Sequence, residues 1–335
     1  MIWYLPIEHE EMRYTAALDS SIRKFLQMIG LEHRVIYPNL PEEFHSPLPE
    51  GCFLNAPKTI AFKACQLAQL AREYAKGSVV SGDTVFLSDM WFPGIEAVRY
   101  LDFFCKREVK LVGILHAGSF TDTDFVRQME RWACLQETTW FSMFDKVIVA
   151  SEFMKREVCS KRLLDPYKVV VSPFPLDPDT YDILHLDRYA VSAPTVLFNG
   201  RLCEEKQPEL FERMEEDLSS GPFADWVSTQ ELGLSKKSYH ELLKRSHVVV
   251  SFAKQENFGF GIAEAVNAGC FPVVPNRLVY PEFYPRECLY NTFGEACQKV
   301  KDFLRLSPEE RLQTVIRVRA HLLEQIEPNM SSWFS

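Results

Sequence analysis

The sequence has no apolar run long enough to cross a bilayer, so no membrane-spanning helix and no membrane partner are expected. None of its nine cysteines forms a CxxC pair. That argues against a zinc ribbon or a disulfide framework and leaves reduced thiols, as in a cytoplasm. Internal repeats and low-complexity tracts are missing, which excludes a solenoid and a long disordered tail. The opening MIWYLPIEHEE lacks a basic start and a long apolar centre, so it is not read as a secretory leader. Basic charge is also short: 37 Lys and Arg against 46 Asp and Glu give a net charge of −9. A protein held on nucleic acid by its overall field is disfavoured, whereas a local basic face remains open. No G-x-S-x-G elbow occurs, so His116 and Ser119, close in sequence, do not make a hydrolase triad.

What is present is a repeated alternation of short β-branched runs and amphipathic stretches. Residues 2–7, 35–37, 84–87, 110–115, 147–150 and 169–171 read as strands. Between them, Leu18, Ile22, Phe25, Leu26 and Ile29 share one helical face, as do Ile60, Ala64, Leu67, Ala71 and Tyr74. Residues 94–104 and 125–144 read as further helices, and residues 38–57 as a surface loop. The pattern lapses over 176–194 and then resumes, with two capping-box starts at Thr292/Glu295 and Ser307/Glu310. The expected organisation is an α/β first domain over 1–175, a linker over 176–194, a second domain over 195–310, and a terminal helix and tail over 311–335.

The most informative stretch is FAKQENFGFGIAEAVNAGCFPVVP, residues 252–275. An apolar strand precedes it, a polar loop holds Glu256, Asn257, Phe258, Gly259, Phe260 and Gly261, and a helix carries Glu264 before Gly269. A carboxylate suits a vicinal diol, because its two oxygens accept from two hydroxyls at once. A glycine-lined helix N-terminus presents amides to a phosphate. A dinucleotide fingerprint is the rival, but its third glycine would fall on Glu264, where a carboxylate repels pyrophosphate.

ENFGFGIAEAVNAGCFPVVP resembles the Glu-x7-Glu signature of retaining GT-B glycosyltransferases. Gly200, Arg201 and Lys206, in NGRLCEEK, resemble the cationic element of the same enzymes. The resemblance implies two doubly wound Rossmann-like domains facing across a cleft, with a terminal helix crossing back to the first. It implies a UDP- or GDP-linked nucleotide-sugar as co-substrate, with no metal and no other cofactor. Arg201, Lys206, His116 and Glu256 are then the catalytic candidates, and residues 256–261, Glu264 and Gly200 join Arg201 and Lys206 as donor-binding candidates. Cations are needed where the sugar–phosphate bond breaks, since negative charge builds on the diphosphate. Asp122-Thr123-Asp124 has the Asp-x-Asp form of metal-dependent enzymes, yet its place at a helix start fits a cap.

The second half, with LVYPEFYP after the signature, resembles tRNA-queuosine mannosyltransferases. LSDMWFPGIEAVRYL, ILHAGSF and WFSMFDKVIVASEF in the first half resemble glycosyltransferases of double-stranded DNA phages. Together they imply transfer to a hydroxyl on a modified base: hydroxymethylpyrimidine in phage DNA, made in the host cytoplasm, or queuosine in tRNA. A lipid or small-sugar acceptor and a non-catalytic nucleotide-sugar binder are the alternatives. Glu8, Arg13, Asp89, Trp91 and Glu96 lie at first-domain strand ends and are acceptor-side candidates. Lys155, Arg156, Lys161 and Arg162 form the one concentrated basic stretch and are candidates for nucleic-acid backbone contact, with a solvated helix face as the plainer reading.

Overall fold

The computed structural model describes residues 1–9, 14–44, 54–181, 184–220 and 224–335. The first half runs β1 (Ile2–Leu5), α1 (Thr15–Met28), β2 (His33–Val35), α2 (Ala56–Ala75), β3 (Thr84–Leu87), α3 (Glu96–Cys105), β4 (Lys110–Ile114), α4 (Glu130–Met143), β5 (Lys146–Val149), α5 (Glu152–Arg162) and β6 (Val169–Val171). These strands form one six-stranded sheet in the order β2-β1-β3-β4-β5-β6, parallel throughout. The central strands β1, β3, β4 and β5 are apolar over most of their length because helices cover both faces, whereas the edge strand β2 (HRV) is polar. Trp3, Leu5, Val85 and Leu87 pack into one core layer, while Ile2, Tyr4 and Phe86 face the other.

The second half runs β7 (Thr195–Phe198), α6 (Pro208–Leu218), β8 (Asp225–Ser228), α7 (Lys236–Arg245), β9 (Val248–Val250), α8 (Phe260–Asn267), β10 (Phe271–Pro275), α9 (Tyr280–Phe283), β11 (Leu289–Tyr290), α10 (Phe293–Arg305), α11 (Pro308–Gln325) and α12 (Ser331–Phe334). Its five strands order as β11-β10-β9-β7-β8, again all parallel. The two sheets turn their strand carboxyl ends toward each other, the usual place for ligands in such sheets. Between β6 and β7 the chain is pinned to the second sheet: Arg188 donates to the carbonyls of Leu243 (3.0 Å), Ser246 and Ala268, and the Tyr189 hydroxyl to Gly269 O at 2.8 Å.

The chain end returns to the first sheet, as the resemblance implied. Trp333 in α12 is fully buried, its ring 5.8 Å from that of Phe86 on β3. Phe334 meets Phe86 edge-on at 5.1 Å, and Lys146 Nζ donates to Ser332 O at 2.9 Å. Both expected caps are present: Thr292 accepts from Glu295 N, and Ser307 with Glu310 forms a full capping box. Several element boundaries shift from the sequence reading, and two of the shifts have a visible cause. The expected helix over 125–144 is split, because Asp124 caps a separate 3-10 turn over Phe125–Met129 before α4 begins. The second strand starts earlier, at His33, where pairing with Ile2 sets the register.

Candidate active site

Between the sheets lies a cleft of about 1330 Å³. The loops after β1, β3 and β4 and the inner face of α2 form one wall; those after β7, β8 and β9 form the other. On the second wall, charges of opposite sign alternate. Lys206 Nζ sits 3.1 Å from Glu256 Oε2 and 3.6 Å from Glu205 Oε1, and donates to Gln255 O at 2.7 Å. Arg201 also pairs with Glu205. Lys236 Nζ holds Glu264 Oε1 at 2.8 Å. Three cations and three carboxylates thus meet at the ends of β7 and β9 and on α7 and α8.

The glycines make this array possible. A Cβ on Gly200 would stand 2.9 Å from the Phe198 ring and 3.3 Å from Lys206 Cβ, so a side chain there would push Lys206 away. Gly259 has φ +80°, a left-handed turn costly for other residues, and its N–H donates to Glu256 Oε1 at 3.0 Å. The turn aims α8 so that Phe260 and Gly261 open its N-terminus to the cleft. The first N–H groups of a helix have no intrahelical acceptor and suit an anion. Asn199 Nδ2 ties β7 to this turn through Gly261 O at 2.6 Å.

His116 faces the cleft from the end of β4. Its Nε2 lies 2.6 Å from Ser88 O, which can only accept, so Nε2 carries a proton. In the neutral ring Nδ1 then accepts from the Tyr14 hydroxyl at 3.0 Å. The Tyr14 ring stacks on Phe260 of the other wall with centroids 4.0 Å apart. The Phe174 ring also stacks on Phe260, with centroids 5.6 Å apart, and lies 5.0 Å from His116. Asn257 Nδ2 donates to His116 O at 2.7 Å, joining the two walls directly.

On the first wall, Glu8 is buried and accepts from the Thr59 hydroxyl at 2.7 Å. Lys63, equally buried, donates to Asp89 Oδ2 at 2.6 Å and to Trp91 O. Burial, the largest single influence, pushes the Asp89 carboxyl up, but the charges of Lys63 and His116 and the hydrogen bonds from Lys63 and Trp91 N–H together outweigh it and leave the group below its ordinary range. Trp91 donates its indole N–H to Glu137 Oε1 at 3.1 Å. Asp124 lines the same wall, caps Val126 N and has its carboxyl raised by burial and by the Glu205 charge, against the pull of Arg201 and Lys206. Asp122 is exposed and pairs loosely with Lys161 and Arg127. Among the described residues no group of three or more His, Cys, Asp or Glu is placed to hold a metal ion.

The cleft therefore gathers Glu8, Asp89, Trp91, His116, Arg201, Lys206, residues 256–261 and Glu264, with Gly200 directly behind. Two expectations are corrected. Glu96 does not line the cleft; it stands in the first turn of α3 and accepts from the Trp140 indole at 3.2 Å. Arg162 cannot meet a nucleic-acid phosphate, because its guanidinium is buried against Glu130, Glu137 and Ser119. Lys161 pairs with Glu157 at 2.7 Å, and Lys155 donates to Val169 O. Arg156 is the most exposed of the four cations of that helix, 66% open and 3.6 Å from Glu282. Arg13 lies outside the described residues. Sequence reading missed Lys63, Lys236 and Tyr14. Lys63 had a signal, since it interrupts the apolar stripe of α2 on its buried face.

Two parallel-sheet Rossmann-like domains facing across such a cleft are the GT-B glycosyltransferase fold. No protein-family model matches the chain. It is 37% identical over 113 residues to tRNA-queuosine alpha-mannosyltransferase of Drosophila melanogaster; the match covers 32% of this chain and only 28% of that protein. The fold is similar to Anabaena Alr3699/HepE solved with UDP and glucose, at TM-score 0.61 and 14% identity, over 97% of this chain and 95% of that one. It is also similar to the catalytic domain of Arabidopsis thaliana starch synthase IV bound to ADP and acarbose, at TM-score 0.71 and 10% identity, over 99% and 98% of the two chains.

Proposed function

We propose that this chain is a retaining, metal-independent glycosyltransferase that moves a sugar from a nucleotide-sugar onto a hydroxyl of a modified nucleic-acid base. The observation that carries this is the array of Arg201, Lys206 and Lys236 with Glu256 and Glu264 around the open N-terminus of α8. Glu264 takes the ribose diol, the α8 amides and Arg201 and Lys206 take the diphosphate, and Glu256 and His116 hold the sugar. The acceptor oxygen bonds to the anomeric carbon as the carbon–phosphate-oxygen bond breaks. The electron pair goes to the diphosphate, where Arg201 and Lys206 offset it. A leaving phosphate oxygen takes the acceptor proton on the same face, which gives retention.

Glu8, Asp89 and Trp91 form the acceptor wall. Of the two bases, queuosine in tRNA is supported by the partial 37% identity to a queuosine mannosyltransferase. Hydroxymethylpyrimidine in phage DNA rests on the first-half resemblance, and the burial of Arg162 removes one cation from the stripe it needs. Nuclear magnetic resonance of the product's anomeric proton, with and without chelator, tests the mechanism. Retained configuration and full activity in chelator are expected; inversion or a metal requirement contradicts the reading.

A further inference from the structure

The segment LVYPEFYP, residues 278–285, has no part in the chemistry described above. Its backbone is nevertheless unusual. Leu278 has φ +60°, a conformation L side chains rarely adopt, and Pro281 sits in the first turn of the short helix α9. The aromatic residues fix α9 to the second domain. Tyr280 and Phe283 are buried, the Tyr280 hydroxyl meets Ser251 Oγ at 2.7 Å, and Phe283 packs edge-on against Phe258 of the 256–261 loop at 5.4 Å. The one acidic side chain of α9 points the other way. Glu282 reaches into the first domain, where its two oxygens accept from the backbone N–H groups of Glu152 (2.8 Å) and Phe153 (2.7 Å) at the start of α5. Arg156 of α5 stands 3.6 Å from the same carboxylate.

We infer that Glu282 is a positioning residue: it latches α5 of the first domain to the 256–261 loop of the second and so sets the closed angle of the cleft. A carboxylate at a helix N-terminus gains from two charge-assisted hydrogen bonds and from the helix dipole. The contact is not isolated. Ser151, which caps α5 through Met154 N, also approaches Asn257 O at 3.5 Å, and Asn257 is bonded to His116 O. The 256–261 loop therefore touches the first domain at His116 and, through α9, at α5. The link to turnover rests on the glycosyltransferase reading, whereas the latch itself does not.

Glu282→Ala and the isosteric Glu282→Gln test it on the full chain, with small-angle scattering, amide exchange and kinetics. Expected for Glu282→Ala are a larger radius of gyration, at least tenfold faster exchange at the Glu152 and Phe153 amides, and turnover down about tenfold. UDP or GDP affinity should stay within about twofold, because Glu282 does not line the cleft. Glu282→Gln keeps one acceptor and should fall between. Unchanged scattering and exchange in both folded variants overturn the latch. If wild-type protein transfers no sugar while scattering and exchange respond as stated, the activity reading fails and the latch stands.

Discussion

On the proposed reading, Glu205 stands beside the place assigned to the diphosphate. Its carboxylate pairs with Arg201 and lies 3.6 Å from Lys206, the two cations assigned to the leaving group. Binding of UDP or GDP must break these contacts, so Glu205→Gln should strengthen binding. The Arg201 side chain is 40% exposed and that of Glu205 11%, so solvent screens the pair in part. Exposed ion pairs contribute up to about 1 kcal/mol each, which gives about 1–2 kcal/mol for both contacts. That corresponds to affinity about five- to thirtyfold tighter. Calorimetry with UDP and GDP at two ionic strengths measures it, and the gain should shrink with salt. Turnover should not rise, since the product is then held more tightly as well. Weaker binding in a folded Glu205→Gln protein would refute the reasoning, because Glu205 would then be orienting Arg201 and Lys206 for the ligand.

Glu264→Ala should weaken nucleoside diphosphate binding by roughly ten- to a hundredfold, the worth of about 1.5–3 kcal/mol for hydrogen bonds to a charged group; calorimetry reads this directly. Arg201→Ala and Lys206→Ala should lower turnover more than donor affinity, because the charge they meet grows as the bond breaks, and steady-state kinetics with the intact donor separates the two effects. Stability should depend on pH through His247, whose pKa falls from 6.5 to about 4, chiefly by burial. Its Nδ1 accepts from Thr195 N and its Nε2 donates to Arg188 O, so the folded ring is held neutral. The contribution is fully present above about pH 6.5 and is lost as pH falls to about 4, to a limit of about 3 kcal/mol. Urea melts between those values should flatten in His247→Gln.

The second half was the more legible, for a physical reason. Glu256, Gly259, Gly261 and Glu264 are local in sequence because one turn and one helix start build the loop, so their spacing together with the flanking strand pattern conveyed the geometry. The alternation of buried strands and amphipathic helices likewise conveyed both sheets. What could not be read was assembled from distant elements. Lys63 meets Asp89 from α2, Tyr14 meets His116 from the start of α1, and Lys236 meets Glu264 from α7. The basic run in α5 misled for the same reason: nothing local to Arg162 shows that Glu130 and Glu137 on α4 bury it. Glu282 lies in the LVYPEFYP stretch, but its role could not be read there, since its partners are two backbone amides in the other domain.

Transfer to a base-linked hydroxyl can be measured outright. Purified protein is given UDP- and GDP-linked sugars with queuosine tRNA, with DNA containing hydroxymethylpyrimidines, or with a lipid or simple sugar, and each acceptor is digested and weighed by mass spectrometry. One added sugar on a modified nucleoside, absent with Arg201→Ala, is expected. A sugar found only on the lipid or simple sugar, or nucleotide-sugar left intact with every acceptor, would contradict it.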